Sequence, residues 1–370
     1  MTANDPYRVM LVDDSAVIRG LFSRFLEEEP EITVVVSASN GQMALGALAR
    51  HDVEIIVLDI EMPVMDGMTA LPLLLEAKPG VQVLIASTLT RKNAEISLRA
   101  MAAGAADYVT KPTSTSEIHS TDAFKRELTE KIKALAAAAR GGRRAPRATA
   151  SAQGALAKAP AVTTVPAYIS LRRSPMQKPE VIAIGSSTGG PPALLNLLGG
   201  LGNGVEQPIL ITQHMPPTFT SLLAEHIGRA SGIPCSEAKD GEAILPGHIY
   251  VAPGDYHMLV EQDKNGRVIR LNQAPPENFC RPAVDPMLRS MAEIYGSRVM
   301  VIMLTGMGSD GQLGSEVVVA AGGSVIAQDE ATCVVWGMPG AVATVGLCSA
   351  VLPLAEIAPY VRKLVLRSAA

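Results

Sequence analysis

The chain has 370 residues, of which 48% are apolar and 18% charged, and its formal net charge is −4. That length exceeds one ordinary domain of about 100–200 residues and leaves each half enough chain for its own core. The near-neutral balance excludes a global pull toward nucleic acid or anionic membrane; the start, MTANDPYRVMLVDDS, has neither a basic nor an apolar leader region, and no apolar run reaches membrane-span length.

Residues 9–12 read as a strand, and residues 16–28 as a helix with Ser15 at its N-cap and Val17, Ile18, Leu21, Phe22 and Phe25 marking its apolar side. Strands follow at 55–58, 83–86 and 107–110, and a terminal helix at 116–139. This alternation predicts a doubly wound parallel sheet over residues 1–125, extended by its terminal helix to about 139. Residues 140–178 are rich in Ala, Pro and Arg, with Arg143, Arg144, Arg147, Lys158, Arg172, Arg173 and Lys178 and no acidic residue. They read as a linker, a solvated spacer in preference to a dock for an acidic surface.

From 179 to 370 the same grammar returns. Strands are expected at 181–184, 209–212, 249–252, 299–304 and 325–328, and Pro191 and Pro192 open a helix. Long loops are expected within 245–255 and over 273–286. The second domain is therefore also α/β, doubly wound and mostly parallel. Cys235, Cys280, Cys333 and Cys348 are scattered with no CxxC pair, which argues against a disulfide framework or zinc site and fits a reducing cytoplasm.

In an open α/β sheet, ligands bind outside the carboxyl ends of the strands. In the first domain that rule gathers Asp13, Asp14, Asp59, Ser87 and Lys111, each after its own strand or beside its neighbour. Clustered carboxylates suit a hard cation such as Mg²⁺. Asp59 stands alone on its strand as a nucleophile for phosphorus, with a hydroxyl and a lysine for the phosphoryl oxygens. The segments VMLVDDS, IIVLDIEMPVMDG, VLIAS and AADYVTKP resemble the response-regulator receiver domain over about residues 5–125. The resemblance implies phosphorylation of Asp59 by a histidine kinase. It implies Mg²⁺ held by Asp13 or Asp14, Asp59 and the Glu61 backbone carbonyl. Ser87, with Thr88 as the alternative, is then the switch hydroxyl, Tyr108 the switch aromatic and Lys111 the phosphate partner.

In the second domain Ser187 lies in G-S-S-T-G between a strand and a helix, the nucleophile-elbow pattern. That pattern alone is weak, since a Ser/Gly turn also merely reverses the chain or cradles a phosphate. His214 at the end of the next strand and Asp310 in the glycine-rich loop after residues 299–304 strengthen it. Serine, imidazole and carboxylate on three neighbouring strand ends suit acyl transfer. Asp255 and Asp285 rival Asp310 from sequence alone; His226 reads as a helix residue, and His248 and His257 as loop-flanking substrate contacts. The order Ser…His…Asp is not that of α/β-hydrolases.

The segments AIGSSTGGP, ITQHMPP, LPGHIYVAPGDYHM, RPAVDPML and MLTGMGSDG resemble the catalytic domain of the chemotaxis protein-glutamate methylesterases, the CheB family, from about residue 180 onward. The resemblance implies a phosphorylation-activated hydrolase. Ser187 is its nucleophile, His214 its base and acid, Asp310 the orienting carboxylate, and the backbone N–H groups near Thr188 and Met307 the oxyanion donors. It implies demethylation of glutamate methyl esters, and deamidation of glutamines, on methyl-accepting chemoreceptors. It also implies a chemotaxis histidine kinase as phosphodonor and a cytoplasmic enzyme recruited to receptor arrays, with no nucleic acid, no membrane insertion and no cofactor for the ester step. The second domain has no helix-turn-helix for a DNA-binding output and no GK[ST] for a nucleotide phosphate.

Overall fold

The computed structural model describes residues 5–111, 118–142, 169–173, 177–202, 204–264 and 266–366. The first domain runs β1 (Tyr7–Val12), α1 (Ala16–Glu27), β2 (Ile32–Ala38), α2 (Gly41–Leu48), β3 (Ile55–Asp59), α3 (Gly67–Ala77), β4 (Gln82–Ser87), α4 (Arg91–Ala102), β5 (Asp107–Thr110) and α5 (Ile118–Gly142). Its sheet has the order β2-β1-β3-β4-β5, and every strand pair is parallel. All five positions of β3 are buried, as a strand covered by helices on both faces requires. Helix starts follow local chemistry: the side chains of Ser15, Asn40, Asp66 and Thr90 accept from the backbone N–H three residues on.

The second domain runs β6 (Val181–Ser186), α6 (Gly190–Leu201), β7 (Ile209–Gln213), α7 (Phe219–Ser231), β8 (Cys235–Glu237), β9 (Ile249–Val251), β10 (His257–Asp263), β11 (Gly266–Asn272), α8 (Val284–Tyr295), β12 (Val299–Met303), α9 (Gln312–Ala320), β13 (Ser324–Gln328), α10 (Met338–Thr344), β14 (Ala350–Leu352) and α11 (Leu354–Val365). The sheet order is β14-β13-β12-β6-β7-β9-β8, again parallel throughout. Strands β6, β7, β12 and β13 are buried at every position. Both domains are α/β, as expected.

Some expectations shift. Residues 32–38, unassigned from the sequence, form the half-buried edge strand β2. Residues 257–272 form the antiparallel hairpin β10–β11 beside the main sheet. The loop expected over 273–286 ends early, because α8 starts at Val284: the Asp310 carboxylate accepts the Val284 and Asp285 N–H groups, and Pro286 sits in the first turn, where no N–H is needed. Helix α5 runs to Gly142, three residues beyond the expected end. Most of the expected linker, including Arg143, Arg144, Arg147 and Lys158, lies outside the described residues. Where the chain is described again, Ile169 packs against the second core and the Arg172 N–H donates to the Cys348 carbonyl at 2.8 Å.

The domains touch through side chains. Tyr108 stacks on Phe219 of α7, so one apolar cluster runs from β4 and α4 into α6 and α7. Val335, from the loop before α10, joins the cluster beneath α5 with Phe22 and Phe124. Arg91 pairs with Glu225 at 2.9 Å on the exposed edge. Among the described residues, no helix is long and apolar enough to cross a membrane.

Candidate active site and phosphoacceptor pocket

The first sheet switches direction between β1 and β3, and the acidic pocket lies there. Asp13, Asp14 and Asp59 each offer a carboxylate oxygen, and these lie within 4.8 Å of one another. Lys111 Nζ reaches Asp13 at 2.6 Å and Asp59 at 2.7 Å. The Ile60 N–H donates to Asp59 Oδ1 at 2.8 Å. Burial, with Asp13 adding to it, holds the Asp59 carboxyl above its usual range against the pull of Lys111. Gly67 keeps the following loop closed: a Cβ there would stand 2.2 Å from the Asp59 carbonyl oxygen. Three convergent hard oxygens with no soft ligand fit Mg²⁺.

Other receiver residues are more engaged than the sequence suggests. The buried Ser87 hydroxyl shares a 2.9 Å hydrogen bond with Ser97 of α4. Thr88 Oγ1 accepts from Asn93 Nδ2 at 2.8 Å. Glu61 is exposed and its side chain pairs with Lys92 at 2.7 Å. Tyr108 is buried, with its ring on Phe219 and Lys131 Nζ 4.9 Å from its centroid.

The second sheet switches direction between β6 and β12, and β7 lies on the other side of β6. Their three carboxyl ends carry Asp310, Ser187 and His214. Ser187 follows β6 directly. Its N–H donates to the Thr305 carbonyl at 3.0 Å, and its carbonyl accepts from Gln213 Nε2 at 3.0 Å. Gly189 adopts φ +75° and Ser187 does not have a positive φ, so the turn is eased at the glycine. At Gly190 a Cβ would stand 1.9 Å from Gln213 Oε1, which itself accepts from the Ser186 hydroxyl.

His214 Nε2 lies 2.7 Å from Asp310 Oδ2. Asp310 is buried and its carboxylate accepts from the N–H groups of Val284 (2.6 Å), Asp285 (3.1 Å) and Gly311 (2.9 Å) and from Asn278 Nδ2 (3.0 Å). Burial works against its charge, but His214 and these donors hold the carboxyl below its usual range. Burial likewise opposes the imidazolium, yet the Cys280 sulfur and Asp310 on opposite sides of the ring outweigh it and push His214 up to about 10.

The rivals are placed elsewhere. Asp255 pairs with Arg281, while Asp285 accepts from the Gly314 N–H at 2.6 Å and is pushed up by burial and by Asp310. His226 lies on α7; His248 bonds Ser236 at 2.9 Å; His257 bonds the Pro275 carbonyl and accepts the Ala283 N–H. Ser187, His214, Met307 and Asp310 line one cleft of about 930 Å³ whose opposite wall is the receiver, including Tyr108 and Arg126. The N–H groups of Thr188 and Met307 bond no other described residue. Asn278 and Cys280 were not singled out from the sequence, yet Asn278 binds Asp310, and Cys280 Sγ lies 3.3 Å from His214 Nδ1.

Comparison with known proteins matches these two halves. A family model described as CheB methylesterase matches residues 182–361, and one described as a response regulator receiver domain matches residues 9–121. The "protein-glutamate methylesterase/protein-glutamine glutaminase of group 2 operon" of Rhodospirillum centenum is 59% identical over 379 residues, covering 99% of this chain and 96% of that protein. Proteins named protein-glutamate methylesterase/protein-glutamine glutaminase from Paramagnetospirillum magneticum and Azospirillum brasilense are 58% and 59% identical, each over 99% of this chain and over 98% and 94% of their own lengths. The chain belongs to the CheB family of protein-glutamate methylesterase/protein-glutamine glutaminases, with a receiver domain preceding its methylesterase domain.

Proposed function

We propose that this protein hydrolyses glutamate methyl esters, and deamidates glutamines, on methyl-accepting chemoreceptors, and that phosphorylation of Asp59 by a chemotaxis histidine kinase raises this activity. The observation that carries the proposal is the 2.7 Å His214–Asp310 pair beside Ser187 at adjoining strand ends. Ser187 Oγ attacks the ester carbonyl carbon and, with the imidazole in its neutral form, its proton passes to His214 Nδ1, since Nε2 is held by Asp310. The N–H groups of Thr188 and Met307 receive the oxyanion. His214 returns the proton to the departing methanol, or ammonia from glutamine. It then takes one from the water that attacks the acyl-enzyme and gives it to Ser187 Oγ as that bond breaks, which releases glutamate and restores the serine.

Residues 1–125 serve as the receiver, with helix α5 running on; residues 140–178 act as the linker and 179–370 as the catalytic domain. Asp13, Asp14, Asp59 and the Glu61 backbone carbonyl would hold Mg²⁺, which offsets carboxylate repulsion and neutralises phosphoryl charge when bound. The phosphoryl group adds about −1.5 to −2 charge. It draws Lys111 to its oxygens and Ser87 away from Ser97, and Tyr108 then leaves Phe219. The unphosphorylated receiver thus covers the cleft and the phosphorylated one uncovers it. The enzyme acts in the cytoplasm at receptor arrays, without membrane insertion or nucleic acid. Ser187→Ala tests the chemistry: esterase activity falls on the order of 10⁴-fold or more, and retention of near-wild-type activity overturns the assignment.

A further inference from the structure

Residues 277–280 form a tight turn closed by two backbone hydrogen bonds between Glu277 and Cys280, at 2.8 and 3.1 Å. Its central residues, Asn278 and Phe279, both have positive φ, 51° and 63°. A turn of this kind favours Asn-Gly, so Asn278 suits its position and Phe279 does not. The surroundings hold the strain in place. Arg289 of α8 grips Glu277 with both terminal nitrogens, at 2.5 and 2.9 Å, and Asn278 Nδ2 donates to Asp310 and Asp285, at 3.0 Å each.

Phe279 is 77% exposed, an unusual place for a phenyl ring at a backbone position made for glycine. It meets the receiver: the Arg126 guanidinium of α5 lies over the ring, 4.3 Å from its centroid. The next residue, Cys280, puts Sγ 3.3 Å from His214 Nδ1. Asp310 occupies the other ring nitrogen, so Nδ1 is the only one left to take the Ser187 proton. Cys280 ties it up in either proton state: a thiol donates to its lone pair, and a thiolate holds an N–H there. The Ser187 hydroxyl bonds no other described residue.

We propose that the 277–280 turn is a latch: Arg126 seated on Phe279 keeps Cys280 on His214 Nδ1, and departure of the receiver frees that nitrogen for Ser187. Cys280 is a positioning residue, acting through His214. The proposal rests on the catalytic reading of Ser187 and His214 and adds to the covering of the cleft a chemical restraint on the base. An exposed cation–π contact is weak, which suits one that is broken at each activation.

The test is the rate at which a fluorophosphonate probe labels Ser187 in the full chain, with and without a small-molecule phosphodonor and Mg²⁺. The probe is small, so exclusion of a receptor helix does not set its rate. Without phosphodonor, Cys280→Ala and Arg126→Ala each label about fivefold faster than wild type or more. Their double variant labels no faster than the faster single one, because both remove one restraint. Cys280→Ser, whose hydroxyl also donates to Nδ1, slows labelling again relative to Cys280→Ala. Arg126 is exposed and remote from the hydrolase core, so its variant keeps the test sound if Cys280→Ala folds poorly. Wild-type labelling rates in Cys280→Ala, or single effects that multiply in the double variant, overturn the latch. Failure of the catalytic reading looks different: phosphorylated wild type is not labelled at Ser187, and Ser187→Ala still hydrolyses ester.

Discussion

Tyr108 of β5 lies flat on Phe219 at the start of α7, with ring centroids 4.3 Å apart and planes 9° from parallel. Tyr108 lies on the strand that leads to Lys111, which pairs with Asp59, and Phe219 follows the loop from His214. The stack therefore joins the two chemical sites by a few residues on either side. Stacked aromatic pairs contribute about 0.5–1.5 kcal/mol beyond their buried area. Phe219→Leu keeps the apolar bulk and removes the ring stack. The unphosphorylated full chain then hydrolyses ester about 2–10-fold faster, with a smaller gain on adding phosphodonor. Unchanged basal hydrolysis contradicts a docking role for this pair.

Asp310 does two jobs with one carboxylate, orienting His214 and capping α8 through Val284 and Asp285. Asp310→Asn places an amide nitrogen where one of these sets of donors needs an acceptor. Ester hydrolysis falls by about 10⁴-fold, as for a mis-set imidazole tautomer. Circular dichroism keeps its α/β signature, with a lowered melting temperature. A fall of less than tenfold excludes Asp310 as the orienting group.

Burial raises the Asp59 carboxyl in the folded chain. A raised folded-state value means the group favours folding below its unfolded pKa, about 3.9, and that this contribution is lost as pH rises through the folded value. At neutral pH the ionised Asp59 therefore costs stability. Asp59→Asn raises the melting temperature of the receiver by about 2–5 °C at neutral pH, and the difference shrinks on acidification toward pH ~4. An equal or lower melting temperature at neutral pH contradicts this. Catalytic competence moves the other way, since phosphorylation is lost.

Both sites were legible because strand-end chemistry is local in sequence and parallel sheets collect strand ends in space. Asp13, Asp59 and Lys111 meet as expected, and His214 and Asp310 meet beside Ser187. Cys280 and Asn278 were illegible for the opposite reason. They lie in a loop with no periodicity, and only the turn at 277–280 and the cap of α8 bring them to the histidine and aspartate. Edge strand β2 and the β10–β11 hairpin each carry a signal of their own, the β-branched ITVVVSA and the turn dipeptide Asn265-Gly266. The domain contact was unreadable, because Tyr108 and Phe219 each look like ordinary core aromatics until the two sheets are set side by side.

The central claim, a receiver-controlled methylesterase, is tested most directly by methanol release from methylated chemoreceptor membranes, with and without a small-molecule phosphodonor and Mg²⁺. Release that rises several-fold with phosphodonor in the wild type, stays at the basal rate in Asp59→Ala and vanishes in Ser187→Ala is the predicted result. Methanol release that is the same with and without phosphodonor, or that persists in Ser187→Ala, contradicts it.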